Sequence, residues 1–140
     1  MTMDENQVVN AVCAALKARG WKIVSQCDTS QAGVDILARR DPVTLHVEAK
    51  GNTSSKQASN RFGMPMTGTQ LFIQVAAALL KTAELRCLNP GDEVAIALPT
   101  DERLRARIAR IAPVLEASRI GVLWVAESLA LDAWNATWVG

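Results

Sequence analysis

The chain of 140 residues carries 15 Lys and Arg against 14 Asp and Glu, is 49% apolar and 21% charged, and has no low-complexity tract. That length supports one domain whose core needs no disulfide or metal staple, and the composition excludes a disordered or fibrous chain. A net charge of +1 excludes the global basic excess of a tight nucleic-acid or membrane binder, so any contact with nucleic acid is local.

Residues 4–19 place Val8, Val9, Val12, Cys13 and Leu16 at helical spacing with Gly20 as the stop, and predict a first helix. The aromatic and β-branched residues of 21–27 predict a strand; residues 33–39 and 43–50 flank the turn signal Asp41-Pro42 and predict a hairpin. Residues 51–68 are polar and rich in Ser, Asn, Gly and Thr. They exceed the ~12–15 residues usual for a structureless connection, which marks a functional or a disordered loop. Helical periodicity resumes over 69–86 through Leu71, Phe72, Val75, Leu79 and Leu80, and Asn89-Pro90-Gly91 ends it.

Residues 93–98 predict a buried strand, after which Thr100 is expected to cap a third helix with Asp101 and Glu102 in its first turn. That helix turns Leu104, Ile108, Ile111 and Leu115 inward, with Pro113 kinking or ending it. Residues 120–126 predict a last buried strand and 128–138 a final helical segment. The order implies an α/β fold: a mixed central sheet flanked by helices, in a single domain over 1–140. No apolar run approaches the ~20 residues of a membrane span, and the polar, acidic first residues do not resemble a signal, so a cytoplasmic protein is expected. Cys13, Cys27 and Cys87 lack C-x-x-C spacing and are expected as buried free thiols.

Strand alternation puts Asp35, Leu37 and Arg39 on one face of the first hairpin arm and His46, Glu48 and Lys50 on one face of the second. A turn centred between Asp41 and Pro42 sets opposite each other residues whose numbers sum to 83, so Asp35 faces Glu48. Two carboxylates directly across a strand pair repel unless a cation lies between them. Mg2+ (or Mn2+) resolves the conflict, because Mg2+ takes one or two carboxylates plus water and phosphate oxygens. Lys50 projects toward the same site, which completes a set suited to phosphodiester hydrolysis: Asp35, Glu48 and the carbonyl of Ala49 hold the metal, and Lys50 orients water and stabilises charge on the phosphate.

Asp35 followed by Glu48-Ala49-Lys50 resembles the D…(D/E)-x-K signature of the PD-(D/E)xK, restriction-endonuclease-like nuclease superfamily, with Val34 where many members have Pro. The resemblance covers roughly residues 4–128 and implies a restriction-endonuclease-like core of order αβββαβ. It implies a Mg2+-dependent DNA endonuclease acting in defence, repair or recombination. It further implies an acidic metal ligand in the first helix, where Glu5 fits and Asp4 is the backup, and a Gln early in the helix after the E-x-K strand. Gln70 is favoured there over Gln74.

Other residues carry two readings. His46 either touches the site or is a hydrogen-bonded neighbour of a carboxylate. Lys56 and Arg61, in the loop after Lys50, either hold the phosphates of a nucleic-acid strand, expected to be DNA, or are solvated. Arg103, Arg107 and Arg110 form either a phosphate-tracking ridge or an ordinary charged helix face. Trp21 and Trp124 are expected in the core, while Trp134 and Trp138 either pack the C-terminus or mark a self-association patch. A homodimer would supply the two sites of a double-strand cut. The competing class is a catalytically silent nuclease-fold module that binds nucleic acid or a protein partner.

Overall fold

The computed structural model describes residues 2–27, 33–54 and 63–140. The elements run α1 (Glu5–Ala18), β1 (Lys22–Gln26), β2 (Ile36–Arg40), β3 (Val43–Ala49), α2 (Gly68–Leu88), β4 (Glu93–Pro99), α3 (Glu102–Ala109), α4 (Ala112–Ala117), β5 (Ile120–Val125) and β6 (Leu131–Trp134). The six strands form one mixed sheet in sequence order. The β1–β2, β2–β3 and β5–β6 pairs are antiparallel, while β3–β4 and β4–β5 are parallel and are each joined through helices.

The sheet separates two apolar layers, and β4 shows why. Its Ala95 and Ala97 face the α1 layer, together with Val47, Ala49 and the inner residues of α1, Val8, Val12 and Leu16. Its Val94, Ile96 and Leu98 face the opposite layer with Leu71, Val75 and Ala78 of α2 and Leu104 and Ile108 of α3. Period-two alternation in a strand covered on both sides produces this division. Small alanines beneath α1 let that helix ride close to the sheet.

Three expectations are corrected. The expected last helix over 128–138 is instead strand β6: the Ala126 carbonyl accepts from Leu129 N–H, Ala126 N–H donates to Ala130, and Leu129 adopts a φ of 65°. That tight reversal returns the chain along β5, where Leu131 and Trp134 pack against opposite layers as strand residues of unlike parity must. The α3 cap is Asp101 rather than Thr100, its carboxylate accepting from Arg103 N–H at 2.8 Å, and Pro113 lies in the first turn of a separate α4. Of the three cysteines only Cys13 is buried; Cys27 is half-buried and Cys87 exposed.

Trp21 and Trp124 are core residues, as expected. Trp138 packs the C-terminus down, its ring edge-on to Trp21 at 5.9 Å, with the Arg40 guanidinium 4.7 Å from the Trp21 ring centre. Among the described residues no helix is long and apolar enough to cross a membrane.

Candidate active site

The hairpin forms in the expected register. Ile36 pairs with Val47, Leu37 with His46 and Arg40 with Val43, all pairs summing to 83, so Asp35 just before β2 lies opposite Glu48 in β3. Both carboxyl residues are only 7% exposed. Asp35 Oδ2 accepts the Ala49 N–H at 2.8 Å, which extends the hairpin ladder with a side chain where β2 has ended. The next N–H, of Lys50, turns to the other neighbour and donates to Ala97 in β4 at 3.0 Å. The chain leaving β3 is thereby held on both sides.

Lys50 Nζ lies 3.8 Å from Glu48 Oε1 and 3.9 Å from Glu5 Oε1, so its ammonium sits between a hairpin carboxylate and one from the first turn of α1. Asp4, the alternative acid, is instead the α1 cap: its carboxylate accepts from Gln7 N–H at 2.8 Å, while Gln7 Oε1 accepts from Asp4 N–H at 2.9 Å. Among the described residues, Glu48 Oε2 is a buried oxygen without a hydrogen-bond partner.

The electrostatics follow from this crowding. Burial and then the charge of Asp35 push the Glu48 carboxyl up to about 7, more than the attraction of Lys50 offsets. Burial also raises Asp35 against the opposing pull of the Ala49 N–H and Lys50, and burial followed by Asp35 raises Glu5. Burial thus raises all three acids, and the charge of Asp35 raises Glu48 and Glu5 further.

Sequence reasoning missed Lys81. This half-buried residue of α2 draws both the Asp35 and Glu48 carboxyls downward. It lies seven residues, two helical turns, beyond Gln74, and that shared face was the available signal.

The remaining candidates divide. Gln70 is the reciprocal partner in the α2 capping box: its Oε1 accepts from Thr67 N–H at 2.8 Å and its own N–H donates to Thr67 Oγ1 at 3.2 Å. His46 turns to Asp92, Nε2 to Oδ2 2.8 Å, as a hydrogen-bonded neighbour. Arg103 donates to the Met66 carbonyl at 2.8 Å and Arg107 lies over the Phe72 ring, so two members of the arginine ridge are engaged within the chain. Lys56 and Arg61 lie outside the described residues.

Neither a protein-family model nor a curated protein matches the chain. Solved structures do. An XisH family protein from Nostoc punctiforme superposes with a TM-score of 0.55 at 20% identity, over 93% of this chain and 97% of that one. An fdxN element excision controlling factor protein from Anabaena variabilis gives a TM-score of 0.56 at 20% identity, over 93% and 96%. The fold is shared along almost the whole of each chain.

The donor set suits a divalent cation that takes few protein ligands. Among the described residues no three acidic, His or Cys side chains converge as a closed cage. Mg2+ does not require one, since it keeps several waters and takes one or two carboxylates. Asp35 and Glu48 would offer such hard oxygens, one of them the unpartnered Oε2, to an open site of this kind.

Proposed function

We propose that the protein is a divalent-metal-dependent nuclease of the PD-(D/E)xK type, built on a restriction-endonuclease-like core and hydrolysing phosphodiester bonds, with DNA as the favoured substrate. One observation carries the reading: Asp35 and Glu48 face each other in a buried hairpin whose Glu48 has an unsatisfied oxygen, with Lys50 against the same carboxylate. Structure alone gains nothing from burying two facing carboxyls, because with Asp35 ionised the second charge on Glu48 is costly.

Asp35, Glu48 and the Ala49 carbonyl would hold Mg2+ (or Mn2+), with Glu5 adding negative charge on the Lys50 side. The metal would polarise the scissile phosphate and acidify a water. Lys50 then has two tasks: it releases its carboxylate contacts to donate to the phosphate oxygens, and it orients the water for in-line attack. Lys81 adds positive potential from α2, and the remaining N–H2 of Gln70 is offered as a water or phosphate contact. Lys56 and Arg61 are proposed to hold flanking phosphates. The excision role in the name of one structural neighbour favours recombination among the possible processes.

That name also describes a controlling factor, and it favours a second reading, a silent module of the same fold that binds nucleic acid or a protein. Incubation of the purified chain with duplex, branched and single-stranded DNA and with RNA, in Mg2+ and in Mn2+, separates the two. Cleavage that disappears in Asp35→Ala and Lys50→Ala supports the nuclease. Cleavage that persists in both variants refutes it, and retention of nucleic acid without cleavage selects the module.

A further inference from the structure

The site draws Glu5 from α1 and the other acids from the hairpin, yet α1 packs on the face of the sheet opposite α2. The connection between these parts lies directly after Lys50. A Cβ on Gly51 would stand 2.6 Å from the Met3 carbonyl oxygen and 2.7 Å from Glu5 N, so the two backbones touch there and only glycine fits. Asn52 follows, 1% exposed. Its Oδ1 accepts from Met3 N–H at 2.7 Å and its own N–H donates to the Met3 carbonyl at 2.9 Å, a two-point clamp on one residue.

The same residue reaches two more helix starts. Its Nδ2 donates to Asp101 Oδ2, in the α3 cap, at 3.1 Å, and its carbonyl accepts from Met66 N–H, just before the α2 cap Thr67, at 2.9 Å. A buried amide satisfied on every side holds its neighbours to one geometry, because losing any partner leaves a polar group unpaired.

We propose that Asn52 is a positioning residue that holds the first turn of α1 against the hairpin and so keeps Glu5 in the metal site. The inference rests on the metal-site reading above. Asn suits the place because one planar amide must accept from an N–H and donate to a carboxylate. Aspartate would keep the Met3 clamp but set its charge against Asp101.

The test is calorimetric titration of the full chain with Mn2+ in four forms: wild type, Glu5→Gln, Asn52→Ala and the double variant, with thermal unfolding to establish folding. Loss of an outer-shell partner typically lowers metal affinity by 10–100-fold, so Asn52→Ala is expected to weaken binding about tenfold. Acting through Glu5, it should add less than about twofold in the Glu5→Gln background, the signature of two residues in one network. Asn52→Asp, which retains the Met3 clamp, should restore most of the affinity. If Asn52→Ala does not fold, Asn52→Ser carries the same cycle, its shorter hydroxyl filling part of the polar shell without reaching Met3. Unchanged affinity in the Asn52 variant while Glu5→Gln weakens binding, or effects that simply multiply, overturns the proposal. A wild-type chain that binds no Mn2+ brings down the metal-site reading and this inference with it, a distinguishable result.

Discussion

Replacing Glu48 with Gln should make the metal-free protein more stable at alkaline pH, and the size of the gain follows from the site. In the unfolded chain Glu48 ionises near 4.5, whereas in the folded hairpin burial and Asp35 push it up to about 7. Between these values the folded state holds a proton that the unfolded state has lost. Stability is therefore fully present below 4.5, falls as pH rises, and levels off above about 7. At about 1.4 kcal/mol per pH unit, the interval amounts to about 3 kcal/mol. Glu48→Gln removes that term, so urea denaturation without divalent metal should show a much flatter pH dependence than wild type between pH 5 and 8. Asp35 and Glu5 slope the same way and leave some residual dependence. Addition of Mn2+ should reverse the ranking at pH 8 once the ion reaches about 1,000 times its Kd, where it stabilises the wild type by about 4.1 kcal/mol, more than the buried charge costs, and the variant has lost a metal ligand. Parallel pH profiles for wild type and Glu48→Gln in the absence of metal would refute the reasoning.

Two further outcomes follow from the flanking residues. Lys81→Ala removes a positive charge that holds both Asp35 and Glu48 down, so the pH at which Mn2+ binding is half-maximal should move upward, read by calorimetry across a pH series; an unmoved midpoint would show that Lys81 exerts no field on the site. Gln70→Ala should cost about 0.5–1 kcal/mol by opening the α2 capping box, while Gln70→Glu keeps the box intact. Reduced cleavage by the Glu variant at unchanged stability would assign Gln70 a substrate contact, and full activity would leave it a cap alone.

The hairpin was legible because local chemistry determines it: a two-residue turn at Asp41-Pro42 leaves one register, and alternation then places Asp35, Glu48 and Lys50 on one face. Glu5 was legible as the charged member of an otherwise apolar stripe. Asn52 and Gly51 were not, because they read as the start of a polar loop and their partners lie 49 residues away at Met3 and Asp101. Lys81 was hidden for a different reason. The helix α2 is apolar on several sides, with Phe72, Ile73, Leu80 and Leu88 all exposed, so periodicity could not tell which face meets the sheet. Strand β6 was misread because a short edge segment takes its conformation from the strand beside it, which no window of its own sequence contains.

The division of β4 into an alanine face and a branched face gives the two halves of the core unequal freedom to change. On the α2 side, Val94, Ile96 and Leu98 meet large side chains that can exchange volume with one another, so this layer can drift in sequence as long as its total volume is kept. On the α1 side, a larger side chain at Ala95 or Ala97 would press toward Val8, Val12 and Leu16 and push outward the helix that carries Glu5. Enlargement in either wall would move a helix that carries part of the candidate site, α1 with Glu5 or α2 with Gln70 and Lys81.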